Sequence, residues 1–279
     1  MASPLSYAAS QVHDSDRERF VTALFAPEER REALLSLYAF NLEVAKIRES
    51  VREPMAGLIR LQWWRDTLAA GADGKGGETS PIAGPLIEVM RRHTLPLAEF
   101  EMLLEAREQD LGGEGPATRA AALAYADASA GTLVVLALRV LGVTESPVLE
   151  IGRRVGTAVA LVGHLRALGF HLSTGRLTLP ADVLAQAGTS VEEVQNGKAS
   201  IESLAATTRI MAEMAEAQLS QARRQKVPRS AIPALLPALL AEGHLATLRR
   251  FGWNPFVAQV QMPRTRPIRL AWASLTGRF

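Results

Sequence analysis

The 279-residue chain has no cysteine. Disulfides, thiolate metal sites and a cysteine nucleophile are therefore excluded. Aromatic residues are scarce, at 5%, and no RNA-binding aromatic motif accompanies them. Charge of one sign is lacking too. Lys and Arg number 31 against 29 Asp and Glu, a net charge of +2, which is too even to argue for a nucleic-acid partner. No apolar run is long enough to cross a membrane. The best stretch, Ala120–Val143, is interrupted by Asp127 and Arg139. The N-terminus has no basic region followed by an apolar run, and Asp14 and Asp16 precede its first arginine, Arg17. Neither a secretory nor a mitochondrial leader is expected, and residues 1–15 read as a flexible N-terminus. The GxSxG elbow of hydrolases is missing, and the GADGKGGETS loop lacks the spacing and preceding strand of a phosphate-binding loop.

What the chain does have is apolar content, at 48%, in helical periodicity. Pro27 opens a segment with acids in its first turn and a seam at Leu37, Phe40, Val44, Ile47 and Val51, spaced three and four apart. Further helices are expected over Pro54–Ala70, Pro85–His93, Pro96–Leu111, Arg119–Leu141, Ser146–His171 and Ile201–Gln225, with two proline-punctuated helices in Ala231–Phe251. A turn capped by Ser190 is expected before Ile201. The Arg119–Leu141 segment is rich in small residues and is expected at the centre. No alternating run bounded by hairpin turns occurs, so the fold class is all-α, in one domain over residues 1–279.

Several motifs rise above this pattern. LYAF at Leu37–Phe40 precedes Trp63-Trp64-Arg65, then Tyr125 and Ala130-Gly131-Thr132, then Leu165-Arg166 and Gly175-Arg176-Leu177 with Leu179-Pro180. Their order and spacing resemble the squalene/phytoene synthase family from about Phe20 to Pro180. FNLEVAKIRESV, AREQDL and HLRALGFHLSTGRLTLP are most similar to that family's branch of assembly factors for respiratory NADH dehydrogenase (complex I). The resemblance implies an isoprenoid-synthase-like helical bundle around a central cavity. It makes Tyr38, Asn41, Glu43, Arg48, Trp63, Tyr125, His164, Arg166 and Arg176 the candidates to line that cavity or touch a ligand.

Prenyl transfer in this family requires magnesium to take up charge developing on a diphosphate leaving group. Magnesium needs hard oxygen ligands, and paired aspartates one helical turn apart supply them. By the resemblance those carboxylates belong at 45, 46, 49, 167 and 171. The chain has Ala45, Lys46, Glu49, Ala167 and His171. One carboxylate cannot hold a magnesium cluster, so no catalytic residue, metal or cofactor is expected. Magnesium enters only under the alternative of an active head-to-head prenyltransferase with an altered metal site. Lys46, Arg48 and Arg166 either attract a phosphate directly or pair with Glu43 and Glu49. His164 and His171, seven apart, lack the i,i+4 spacing of a metal pair. Of Trp63 and Trp64, about 100° apart on a helix, at most one faces a given cavity.

The functional expectation is a non-catalytic helper in complex I assembly, with an isoprenoid or lipid ligand and a respiratory subunit as partners. A lipid carrier is a third possibility. The C-terminal segment carries Arg264, Arg266, Arg269 and Arg278 and no acid, with Ile268, Trp272 and Leu275 on one helix face. It suits either docking onto the body or peripheral contact with the inner membrane through Arg264, Arg266, Arg269 and Trp272. The expected location is cytoplasmic, peripheral to the inner membrane, or its matrix side in a eukaryote.

Overall fold

The computed structural model describes residues 5–75, 80–113, 115–263 and 265–279. Every regular element among them is helical. The first half contains α1 (Tyr7–Ser15), α2 (Arg17–Ala23), α3 (Glu28–Ala45), α4 (Ile47–Ser50), α5 (Pro54–Ala72), α6 (Ala83–Arg92), α7 (Leu97–Gln109), α8 (Arg119–Ala126) and α9 (Thr132–Val140). The second contains α10 (Ser146–Arg166), α11 (Leu168–Ser173), α12 (Ala181–Gln186), α13 (Val191–Gln195), α14 (Ile201–Ala222), α15 (Ile232–Leu235), α16 (Pro237–Arg250), α17 (Ala258–Gln261) and α18 (Pro267–Thr276). The caps follow from local chemistry. The hydroxyls of Ser6, Thr118 and Ser200 accept the orphan amides of Ala9, Ala121 and Ser203. Ser190 and Glu193 form the reciprocal capping box that starts α13. The middle of the GADGKGGETS loop, residues 76–79, lies outside the described residues.

Two helices expected as continuous are broken, and a third runs through as expected but is widened by a π turn. The Leu37–Val51 seam divides at Lys46, although Leu37, Phe40, Val44 and Ile47 stay buried. The Ser146–His171 helix divides at Ala167. The Arg119–Leu141 helix opens into one wide π turn, Asp127–Gly131, between α8 and α9. Arg119–Val140 is long and apolar enough to span a membrane, yet 67% of its most apolar window is buried inside the protein. Its place is central, as its small residues imply. The reason is visible at Gly156 of α10, where an added Cβ would lie 2.2 Å from the Ala130 carbonyl oxygen. Only a residue without a side chain lets α10 cross the π turn backbone to backbone. α14 and α16 pack on α10's other sides. One hydrophobic core runs from Ala8 to Val260, with Phe40 edge-on to both Trp64 and Phe100.

Both ends of the chain correct the reading. Residues 1–15 are not a flexible tail from Tyr7 onward. α1 buries Ala8, Ala9 and Val12 against the body, because three small apolar residues on one face meet α3. At the other end, α18 docks through Leu270 and Ala273, 0% and 1% exposed, onto Ile232, Leu236 and Leu239. The face anticipated as one stripe is turned outward: Ile268 is 87% exposed, Trp272 57% and Leu275 76%.

Candidate functional site

The breaks at Lys46 and Ala167 stand at the two places where the resemblance puts metal-binding carboxylates. Ala45, Arg166 and His171 face a cavity of about 410 Å³. Its walls come from the α1–α2 corner, α3, the π turn, α10, α11 and α16. A second compartment of about 130 Å³ adjoins it, with His164 and Arg176 lining both. The central cavity is therefore divided, and the partition is polar.

That partition is built from residues far apart in sequence. Arg107 of α7 donates from Nη1 to the Tyr125 hydroxyl at 2.7 Å and from Nη2 to Asn41 Oδ1 at 3.3 Å. The Tyr125 hydroxyl donates to Asp110 Oδ2 at 3.0 Å. Arg176 pairs with Asp110 Oδ1 and donates to the Tyr125 hydroxyl at 3.2 Å. Two guanidinium groups thus share one buried carboxylate. Burial opposes the charge of Arg107, but Tyr125 and Asp110 more than offset it and hold its pKa above the usual value. Burial pushes the Tyr125 hydroxyl up, against the pull of Arg107. The two histidines respond oppositely to the arginines. Burial, then the Arg176 charge, holds His164 well below the ordinary range. The same two causes bring His171 down to about 4. Both are neutral near pH 7, with rings 6.2 Å apart.

At the α1–α2 corner the cavity is closed by ion pairs. Glu18 places Oε2 3.0 Å from Arg166 Nη1 and Oε1 2.7 Å from His244 Nε2. Asp16 caps α2 through the Arg19 amide and pairs with the Arg19 guanidinium. Lys46 Nζ donates to Ser15 Oγ at 2.9 Å. Glu43 and Glu49 are exposed. The anticipated pairing of Lys46 and Arg166 with them is not what forms. The break at Lys46 turns its side chain toward the N-terminal corner, and Glu18 reaches Arg166 first.

The candidates therefore divide. Asn41, Tyr125, His164, Arg166 and Arg176 line one or both compartments. Tyr38 does not: it is buried beneath Arg19, and burial pushes its hydroxyl up to about 12, partly opposed by Arg19. Glu43 faces solvent, and Arg48 lies off both compartments with a buried Nε. Trp63 is on the outer face of α5 while Trp64 is core, because the Leu61–Trp64–Leu68 spacing decides which tryptophan turns inward. Arg264 lies outside the described residues. Arg266 packs on Gly243, and Arg269 pairs with Glu242 at 2.6 Å. Reasoning from sequence missed Glu18, Arg19, Arg107, Asp110 and His244. A signal existed for two of them, since AREQDL places Arg107 and Asp110 on one helix face. Among the described residues, no group of three or more His, Asp or Glu side chains is placed to hold a metal ion.

An all-helical body around a divided, arginine-lined cavity defines the class. Squalene synthase HpnC from Alicyclobacillus acidocaldarius has the same fold, with a TM-score of 0.79 at 23% identity over 89% of this chain and 94% of that one. A dehydrosqualene synthase gives 0.81 at 19% identity, over 97% and 94%. The squalene/phytoene synthase family profile matches residues 12–267, and the chain belongs to that family. Within it, the chain is 27% identical to human NADH dehydrogenase (ubiquinone) complex I, assembly factor 6, over 93% of this chain and 78% of that protein. The bovine protein of that name gives the same figures. Presqualene diphosphate synthase of Rhodopseudomonas palustris is 29% identical, over 60% of this chain and 59% of that one.

Proposed function

We propose that this chain is a binding protein on an enzyme fold, acting in assembly of respiratory NADH dehydrogenase and catalysing no prenyl transfer. One observation carries the reading. The five positions that would hold magnesium carry Ala45, Lys46, Glu49, Ala167 and His171, and the ground is occupied by internal contacts, Lys46 to Ser15 and Arg166 to Glu18. Losing metal stabilisation of a leaving diphosphate costs several kcal/mol, and each 1.36 kcal/mol is tenfold in rate. Similarity along nearly the whole chain to proteins named as complex I assembly factors agrees with this. The cavity takes a lipid or isoprenoid without turning it over.

The protein works at the inner-membrane surface, on the cytoplasmic side or, in a mitochondrion, the matrix side. Support comes from α18, which is anchored by Leu270 and offers Ile268, Trp272 and Leu275 outward beside Arg269 and Arg278. An exposed apolar face carrying a tryptophan and flanked by arginines suits an anionic bilayer surface.

Two measurements test the reading. Deleting the gene in its source organism should lower fully assembled NADH dehydrogenase, and the Glu49→Gln variant should restore it as well as the wild type does. Purified protein given farnesyl or geranylgeranyl diphosphate, magnesium and NADPH should form no squalene or phytoene above a protein-free control. Product that disappears in Glu49→Gln would establish the prenyltransferase alternative.

A further inference from the structure

The fold uses only one of the two adjacent tryptophans on α5. Trp64 is core, while Trp63 is half-exposed, its ring edge-on to Trp64 with centroids 5.0 Å apart. Trp63 ends an outward row whose other members are Ile59, 63% exposed, and Met55, 65% exposed. The three are spaced by four residues and share one helix face, so the row is about 12 Å long at 1.5 Å per residue. The opposite face of α5 is anchored by Leu61, Trp64 and Leu68, and packing of the body does not call on the outer one. An exposed apolar row that ends in a tryptophan marks an interaction surface.

The charge beside the row decides what covers it. α7 packs along α5, and its outer side carries Glu101, Glu105 and Glu108, spaced four and three apart. Arg65 of α5 is set against them, 2.6 Å from Glu101 and 2.5 Å from Glu108. One positive charge thus answers three negative ones, and Glu105 has no ion pair among the described residues. Asp66 adds an exposed carboxylate on α5 itself. Of the other bases near the row, Arg52 lies in the α4–α5 connection and Arg60 donates to Ser50 Oγ on α4 at 2.7 Å. The arrangement is the reverse of α18, whose outward apolar face stands beside Arg269 and Arg278. An anionic bilayer suits α18, and the glutamates of α7 repel it from α5. What fits the α5 row is a basic polypeptide, and an amphipathic helix presents apolar anchors at that spacing.

We propose that the outer face of α5 docks an amphipathic helix of a partner protein, which lays an apolar stripe on Met55, Ile59 and Trp63 and sets lysines or arginines against the glutamates of α7. This rests on the assembly reading and gives the partner its chemistry. The two fail separately: NADH dehydrogenase that assembles normally without the gene overturns the role, whereas the titrations below bear on the face alone.

The test titrates the full chain with a fluorescent helical peptide of about 18 residues, leucines forming one stripe and lysines its edges, and with the same peptide carrying glutamates for the lysines. Anisotropy should show saturable binding of the lysine peptide that weakens as salt rises, with the glutamate peptide about tenfold weaker or more. That comparison needs no variant. Met55→Ser with Ile59→Ser should weaken the lysine peptide about tenfold, and Glu105→Lys about threefold. Binding should shift tryptophan emission to the blue as Trp63 is covered. Trp63→Phe should remove the shift and Trp272→Phe should leave it. The proposal is overturned by absence of saturable binding, by the glutamate peptide binding as tightly, or by a blue shift that survives Trp63→Phe. It is overturned in favour of a membrane if Met55→Ser with Ile59→Ser abolishes sedimentation with anionic liposomes. A dimer of the wild type that the same variant converts to monomer would overturn it in favour of a second copy.

Discussion

Two ion-pair clusters face the same cavity, and they are built differently. The partition, Arg107–Asp110–Tyr125–Arg176, is deep and cross-linked, and Asp110 there serves two arginines at once. The corner ties three helices through the Glu18 carboxylate, which meets Arg166 and His244, and Arg166 also donates from Nη2 to the Gln261 carbonyl at 3.4 Å. The first holds both guanidinium groups on one carboxylate and one hydroxyl, with Asn41 as a further acceptor for Arg107. The second is less buried and joins elements that have other anchors, α1–α3 and α10–α16 contacts among them. Buried pairs contribute little net stability when intact but cost much when one partner is removed. The partition should therefore act as structure and the corner as an exchangeable contact.

The largest effect expected from breaking that contrast is at Asp110. Asp110→Asn leaves two buried guanidinium groups without a counter-charge, and unfolding in urea should show a loss of about 3–5 kcal/mol. A loss below that of the corner variant would reverse the assignment. Glu18→Gln should cost about 1–3 kcal/mol in the absence of ligand, the loss of a charged hydrogen-bond acceptor.

Acidity separates the clusters further. The pKa of His171 in the folded protein, about 4, lies below the ordinary 6.5, and His164 is shifted the same way. The folded state resists a proton that the unfolded chain accepts. Stability is therefore full above pH 6.5 and is lost as pH falls from there toward 4. His171→Asn should flatten this loss in melting temperatures measured across that range, whereas Glu18→Gln should leave the His171 contribution in place. The smallest stability change belongs to the outer face of α18. Ile268→Ser with Leu275→Ser should shift stability by no more than about 0.5 kcal/mol, since both side chains are in solvent. The same variant should no longer sediment with anionic liposomes. Unchanged sedimentation would remove the membrane role of that face.

Much of the scaffold was legible because helix signals are local. The capping box at Ser190 and Glu193, Pro54 at the start of α5 and the small residues beneath α10 each act within a turn or against one neighbour. The helix breaks at Lys46 and Ala167 were not legible, since neither residue is a helix breaker and nothing in the flanking periodicity changes. That positions 45, 46, 49, 167 and 171 carry one carboxylate was legible too, because side-chain identity does not depend on conformation.

Sequence alone thus determined the all-helical class, the family and the presence of a single carboxylate among positions 45, 46, 49, 167 and 171. It also determined that Ile268, Trp272 and Leu275 share a face, because helical angle depends only on spacing. Which way that face turns was decided by tertiary packing, when Leu270 and Ala273 took the buried side. So was the choice of Glu18, 148 residues away, as the partner of Arg166, and of Asp110 as the counter-charge for Arg107 and Arg176. Charges pair with whichever opposite charge the fold brings within reach and desolvates with them, and that proximity is a property of the packed helices rather than of any stretch of chain.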